Sequence, residues 1–313
     1  MFAKFFKKRS QSTAQATASL DAASIAKRAR RLRFLVRPEA ASALAGAYLS
    51  SRPGTGLTFA ELRPYEPGDD VRRLDWNATA RQGRPYVRRF VEERSLAVWL
   101  IVDVSASLRF GPEGRSKADR AAQTAALLAA AAIRDGDRAG LVLVSDQVEA
   151  VLPPSGGTRH LARVLRALVA TPTVSRATNL SAALVRPIVR GRRALVVVIS
   201  DFLADEPIGP WRRVARRHDV VAVRVFDPRE ERLPRAGLLA LTDLETGRRG
   251  LVDSESKRVR DAYETAAKIR RDRFKAWRLA TGIASFDLST ETDPLRPLLR
   301  FFQRGGPRGG VAR

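Results

Sequence analysis

Asp103, Ser105 and Ser107 close the stretch Leu96-Ala-Val-Trp-Leu-Ile-Val-Asp-Val-Ser-Ala-Ser107, so an apolar run ends in one carboxylate and two hydroxyls spaced two residues apart. Oxygens of this kind suit a hard divalent cation, and Mg²⁺ keeps several of its waters, so a few protein ligands are enough. The same triplet also reads as a strand end followed by a serine-rich helix cap. Two later segments favour the ion. Thr178 precedes a helix-patterned run, where it either caps the helix or lends a further hydroxyl, and Asp201 ends the β-branched run Ala194-Leu-Val-Val-Val-Ile-Ser200 as Asp103 ends the first. Two such strand ends side by side could share one ion, with Mg²⁺ expected and Mn²⁺ or Ca²⁺ as substitutes.

Strands buried on both faces of a parallel sheet read as near-continuous apolar runs, and ligands of open α/β sheets gather beyond the carboxyl ends of those strands. From Leu96 onward the pattern alternates accordingly. Strands are expected at 96–104, 138–145, 194–200 and 220–226, with 148–152 as a short antiparallel partner; helices are expected at 116–133, 157–169, 179–189 and 210–217. Alternation at these lengths predicts a doubly wound, mostly parallel α/β sheet with one antiparallel edge strand and helices on both faces. A hairpin at 237–253, a long basic helix at 254–280, a last strand at 282–288 and a short helix at 293–302 complete the series.

Other chemistries fit less well. The chain has no cysteine, which removes disulfides and thiolate sites, and His160 and His218, its two histidines, both follow basic helical stretches and read as solvated. Gly111-Pro-Glu-Gly-Arg-Ser-Lys117 does not have the order of a phosphate-binding loop. An aspartyl-phosphate enzyme would want a second carboxylate where Ser105 stands. A Ser105, His160, Asp201 triad can be written on paper, yet nothing around Ser105 resembles a nucleophile elbow. The expectation is that the chain is not an enzyme, with a Mg²⁺-dependent phosphoester hydrolase at the same strand ends as one alternative.

Lysine and arginine number 57 against 33 acidic residues, giving a formal net charge of +24. Such an excess attracts polyanions and says nothing about fold, so a nucleic-acid-binding protein is the other alternative. No uncharged apolar run approaches the roughly 20 residues that span a bilayer, and the alanine-rich run from Ala121 to Ile133 reads as a buried helix. A cytoplasmic location is expected. Phe2, Phe5 and Phe6 among Lys4, Lys7, Lys8 and Arg9 could add weak contact with an anionic inner membrane.

Residues 1–50 read as a tail leading into helices, 51–95 as a small β-rich module, 96–302 as the α/β domain with its hairpin and terminal helices, and 303–313 as a flexible tail. In the module, Arg63, Tyr65, Asp69, Arg72, Asp75, Trp76 and Arg81 lie in the block Leu62-Arg-Pro-Tyr-Glu-Pro-Gly-Asp-Asp-Val-Arg-Arg-Leu-Asp-Trp-Asn-Ala-Thr-Ala-Arg81, where charges alternate in sign. That pattern suggests either a salt-bridged interface or intramolecular packing, with Trp76 expected to be buried as the anchor of the module to the main sheet.

The D-x-S-x-S triplet, the later Thr178 and the later Asp201 resemble the von Willebrand factor A fold and its metal-ion-dependent adhesion site. The 62–81 block, followed by Arg84-Pro-Tyr-Val-Arg-Arg-Phe-Val-Glu-Glu93, resembles the signature of the bacterial family catalogued as domain of unknown function 58, whose members carry a von Willebrand A-like domain directly after it. The resemblance covers about Gly54 to Asp253. It implies direct coordination by Ser105, Ser107 and Thr178, with Asp103 and Asp201 acting directly or through water, and an open position that accepts an acidic residue from a partner. It also implies an adaptor or co-chaperone role beside a MoxR-type AAA+ ATPase. Many relatives have amino-terminal membrane spans, which this sequence lacks.

Overall fold

The computed structural model describes residues 57–66, 74–92, 96–112, 114–170, 175, 177–185, 193–244, 247–304 and 306. These fall into two compact units, one within residues 52–95 and one from Leu96 onward. In the smaller unit, β1 (Leu57–Pro64) pairs antiparallel with β2 (Tyr86–Glu92), and a short helix α1 (Trp76–Gln82) lies between them in the chain. Asp75 starts α1 by accepting hydrogen bonds from the backbone N–H groups of Asn77 and Ala78, each 3.0 Å long.

The larger unit is built on a six-stranded sheet. Its strands are β3 (Ala97–Asp103), β4 (Arg138–Val144), β5 (Val148–Ser155), β6 (Ala194–Ser200), β7 (Asp219–Phe226) and, after a hairpin of β8 (Leu238–Thr242) and β9 (Arg249–Asp253), β10 (Ala284–Ser289). The spatial order is β10-β7-β6-β3-β4-β5, parallel throughout except for β5, which runs antiparallel at the edge. Counted along the chain this is order 3-2-1-4-5-6, the doubly wound arrangement that the sequence pattern predicts. The first and fourth strands, β3 and β6, are neighbours at the point where the winding reverses. In doubly wound sheets the ligand crevice lies beyond the carboxyl ends at such a switch point, and Asp103 and Asp201 stand at the ends of these two strands.

Alternation along each strand sorts the apolar side chains onto two faces. Val98, Leu100 and Val102 pack with α2 (Lys117–Arg134), α3 (Thr158–Ala170) and α7 (Leu295–Gln303). Trp99 and Ile101 pack on the other face with α4 (Leu180–Val185), α5 (Ile208–Ala215) and α6 (Lys257–Thr281). The alanine-rich run expected to be a buried helix is the body of α2, begun by a capping box between Ser116 and Asp119. The helix expected at 179–189 is described only as Leu180–Val185, and the remainder lies outside the described residues. No helix among the described residues is long and apolar enough to cross a membrane.

Two expectations need correction. His160 and His218 are buried while the arginines just before them are exposed: His160, in the first turn of α3, bonds the Ala139 carbonyl, and His218, between α5 and β7, accepts from the Ala194 N–H. Trp76 is 71% exposed and so is not a buried anchor, because it occupies the first turn of α1, a helix with no buried residue.

Candidate metal centre

Asp103, Ser105, Ser107 and Ser200 form one hydrogen-bonded cluster at the strand ends. Asp103 is the last residue of β3 and almost fully buried; its Oδ1 accepts from the Ser105 backbone N–H at 2.8 Å and its Oδ2 from the Ser200 hydroxyl at 2.6 Å. Ser200 ends β6, so this second bond ties the two central strands together where they stop. The Ser105 and Ser107 hydroxyls, both buried, lie 3.1 Å apart. They occupy the start of a single 3₁₀ turn, Ala106–Arg109, which follows the strand without a side-chain cap.

Thr178 reaches the same rim through its neighbours. The Ala106 N–H donates to the Ser175 carbonyl at 3.2 Å, and the Asn179 N–H donates to the carbonyl of Ser145, just past the end of β4, at 2.7 Å. Capping, the competing role for Thr178, belongs to other residues. Asn179 accepts from the Ala182 N–H at 3.2 Å, and Glu206, in the loop after β6, accepts from the Leu180 N–H at 2.9 Å and the Ser181 hydroxyl at 2.7 Å. Thr178 Oγ1 is buried and has no hydrogen-bond partner among the described residues.

Asp201 follows β6 and is also buried. Its Oδ2 accepts from the Lys117 ammonium at 2.8 Å, and its Oδ1 accepts a longer bond, 3.2 Å, from the Leu203 N–H. Between them Phe202 adopts a positive φ of 52°, unusual for a residue with a side chain. The ring holds it there: Phe202 lies 5.0 Å from Phe274, 5.4 Å from Trp277 and 6.2 Å from Trp211 between ring centroids. The backbone turn that aims Asp201 at the crevice is thereby anchored in the second core.

Two buried carboxylates near one another resist joint ionisation. Burial, and then the charge of Asp201, push the Asp103 carboxyl up to about 7, against the lowering effect of its bonds from Ser200 and Ser105. Burial works against the Lys117 ammonium, but Asp201 and Glu230 outweigh it and raise its pKa above the ordinary lysine value.

The donor set fits a small oxygen-seeking cation. One buried hydroxyl has no partner among the described residues, two more face each other, and the Asp103 carboxyl is bonded by an N–H and a hydroxyl, with the ammonium of Lys117 on Asp201 instead. Among the described residues no three His, Cys, Asp or Glu side chains cluster as a metal cage, so ligation here would fall mainly on the neutral hydroxyls of Ser105, Ser107 and Thr178. Such a set leaves the ion electrophilic.

Sequence reasoning missed Lys117, Glu206 and Phe202. Lys117 and Glu206 act across 84 and 25 residues, and no local pattern signals them. The triad on paper is not assembled: His160 Nε2 bonds the Ala139 carbonyl at 2.7 Å, and Ala139 lies at the opposite end of the sheet from Ser105.

The smaller unit holds the other proposed residues. Asp75 is buried as the α1 cap, Arg81 is exposed in the last turn of α1, and Tyr65 is half-buried with its N–H donating to the Pro85 carbonyl at 2.9 Å. Arg63 lies in β1 opposite Val87, while Asp69 and Arg72 lie outside the described residues.

Residues 61–273 match the family described as Protein of unknown function DUF58. An uncharacterized protein of Mycobacterium tuberculosis is 34% identical over 290 residues, covering 90% of each chain, and a counterpart in Mycobacterium bovis matches equally. Among solved structures, BatB from Bacteroides thetaiotaomicron is 15% identical with a TM-score of 0.35, covering 58% of this chain and 98% of that one. The SpRpn10 VWA domain is 10% identical with a TM-score of 0.35, covering 70% and 100%. The family match over more than half the sequence and the near-full-length mycobacterial relatives together place this chain in the DUF58 family.

Proposed function

We propose that this chain is a protein-interaction module, not an enzyme, and that its strand-end site holds one Mg²⁺ or Mn²⁺ whose open position takes a carboxylate from a partner. The observation that carries this reading is the Thr178 hydroxyl, buried and without a partner among the described residues, in a segment bonded to Ala106 and Ser145, with the capping it could have served done by Asn179 and Glu206. A buried hydroxyl left without a protein partner is the kind of group that meets a water or an ion, and this one lies in the segment that joins the strand-end rim. The bound ion would supply electrostatic attraction for an anionic ligand. Asp103 and Asp201 balance its charge, the three hydroxyls orient it, and Ser200 and Lys117 hold the two carboxylates in place.

The partner we propose is a MoxR-type AAA+ ATPase, on the strength of the family resemblance, with the module acting as its adaptor on the cytoplasmic side and, through its basic amino terminus, peripherally at the inner membrane. Phe2, Phe5, Phe6, Lys4, Lys7, Lys8 and Arg9, which would make that membrane contact, lie outside the described residues.

Pull-down with such an ATPase, with and without chelator, tests the reading. Asp103→Asn is the informative variant, because Asp103→Ala would strip the Ser105 N–H and the Ser200 hydroxyl of their acceptor inside the protein. Association should fall at least tenfold with chelator or with Asp103→Asn. Association that survives both would place the binding surface elsewhere and sink the metal-dependent account.

A further inference from the structure

Lys117 is fully buried, a rare state for a lysine, and its ammonium sits 2.8 Å from Asp201 Oδ2 and 2.8 Å from Glu230 Oε1. Its position is fixed from three sides. Its own N–H donates to the Phe110 carbonyl at 3.0 Å at the start of α2, next to the Ser116 capping box. Glu230 belongs to a 3₁₀ turn, Pro228–Glu230, closed by its own capping box, in which Glu230 Oε2 accepts from the Asp227 N–H at 3.3 Å. The Phe110 ring lies 6.0 Å from the ammonium. A positive charge is thus built into the rim, bonded to the same carboxylate that a divalent ion would use.

We propose that Lys117 is a resident cation that competes with the divalent ion for Asp201, keeping the site folded without metal and its metal affinity low until a partner carboxylate joins. The inference rests on the metal reading above. Asp201 Oδ2 is already committed to an ammonium, and its Oδ1 carries only the long bond from Leu203. An incoming ion therefore meets Coulomb repulsion from a charge that cannot move into water, in surroundings that screen it poorly. A carboxylate brought by a partner offsets that repulsion, which makes metal retention and partner binding mutually dependent.

The test is Mn²⁺ titration by calorimetry, together with thermal melting with and without Mn²⁺, on the full chain and on Lys117→Met, which replaces the ammonium by an apolar side chain of similar length. Lys117→Met leaves Asp201 and Glu230 unpaired inside the protein, so Lys117→Met with Glu230→Gln, which removes one charge of each sign, guards against a variant that does not fold. The folded variant should bind Mn²⁺ at least tenfold more tightly than the parent, and Mn²⁺ should raise its melting temperature by more than it raises the parent's. A parent that binds no Mn²⁺ beside a variant that does would support the inference equally. If the parent binds and the folded variant binds no better, the inference about Lys117 is overturned and the metal reading stands. If neither binds, the metal reading falls and takes the inference with it.

Discussion

Asp227 shows at a single residue how the larger unit arranges charge near its crevice. Burial alone would raise its carboxyl, but hydrogen bonds from Arg229 at 2.7, 2.8 and 2.9 Å and from Thr290 at 2.8 Å outweigh burial and hold it below the ordinary carboxylate range. A folded-state pKa below the unfolded one means that the unfolded chain takes up the proton first. The contribution to stability is therefore complete above the unfolded value of about 4 and is lost as pH falls through the lower folded value. Melting temperatures of parent and Asp227→Asn should differ most near neutrality and converge on acidification below about pH 4. A gap that stays constant would show that the ionised carboxylate is not what stabilises the turn. At this scale the sequence exposed the oxygens and hid what holds them. Asp103, Ser105 and Ser107 announce themselves by spacing of two, whereas Lys117 and Glu206 are ordinary surface residues by type until the fold carries them to the rim. Phe202 is hidden differently, since only the φ of 52° shows that its ring offsets a strained backbone.

The elements from Leu96 onward were legible because a parallel sheet buried on both faces leaves long apolar runs, and β3 and β6 are such runs. The helix caps were less so. Thr178 looks like a cap by type, yet Asn179 takes the cap because α4 begins one residue later than the sequence suggested. The 3₁₀ turn at Pro228–Glu230 had no periodicity to reveal it, being three residues long. Packing between β3 and β4 makes a sharp demand that composition does not show. A Cβ on Gly140 would fall 2.8 Å from the Trp99 side chain and 3.0 Å from Pro154. Since Trp99 is buried in the second core, Gly140→Ala must displace an indole with little room to move. The expected cost is about 1–3 kcal/mol, read as a lower urea midpoint with unchanged slope. An unchanged midpoint would mean that Trp99 yields freely and that the second core is looser than its burial implies.

For the molecule as a whole, topology ties these parts to function. Order 3-2-1-4-5-6 places the ends of β3 and β6 side by side, so two carboxylates 98 residues apart in the chain come to neighbouring strand ends. The mostly parallel, doubly wound sheet could be anticipated from the alternation of elements; the order of its strands and the ammonium bonded to Asp201 could not. The excess of 24 positive charges is a property of the whole sequence and does not bear on the site itself. The claim on which the functional account turns is that the crevice binds one divalent ion through hydroxyls that the fold leaves available. Calorimetric titration of Mn²⁺ into the full chain and into Thr178→Val measures it directly. Valine removes a hydroxyl that has no partner among the described residues, so the variant should be as stable as the parent to within about 1 kcal/mol, or more stable, while losing at least tenfold in Mn²⁺ affinity. Mn²⁺ binding that is equally tight in Thr178→Val, or absent both from the parent and from Lys117→Met with Glu230→Gln, would contradict the account.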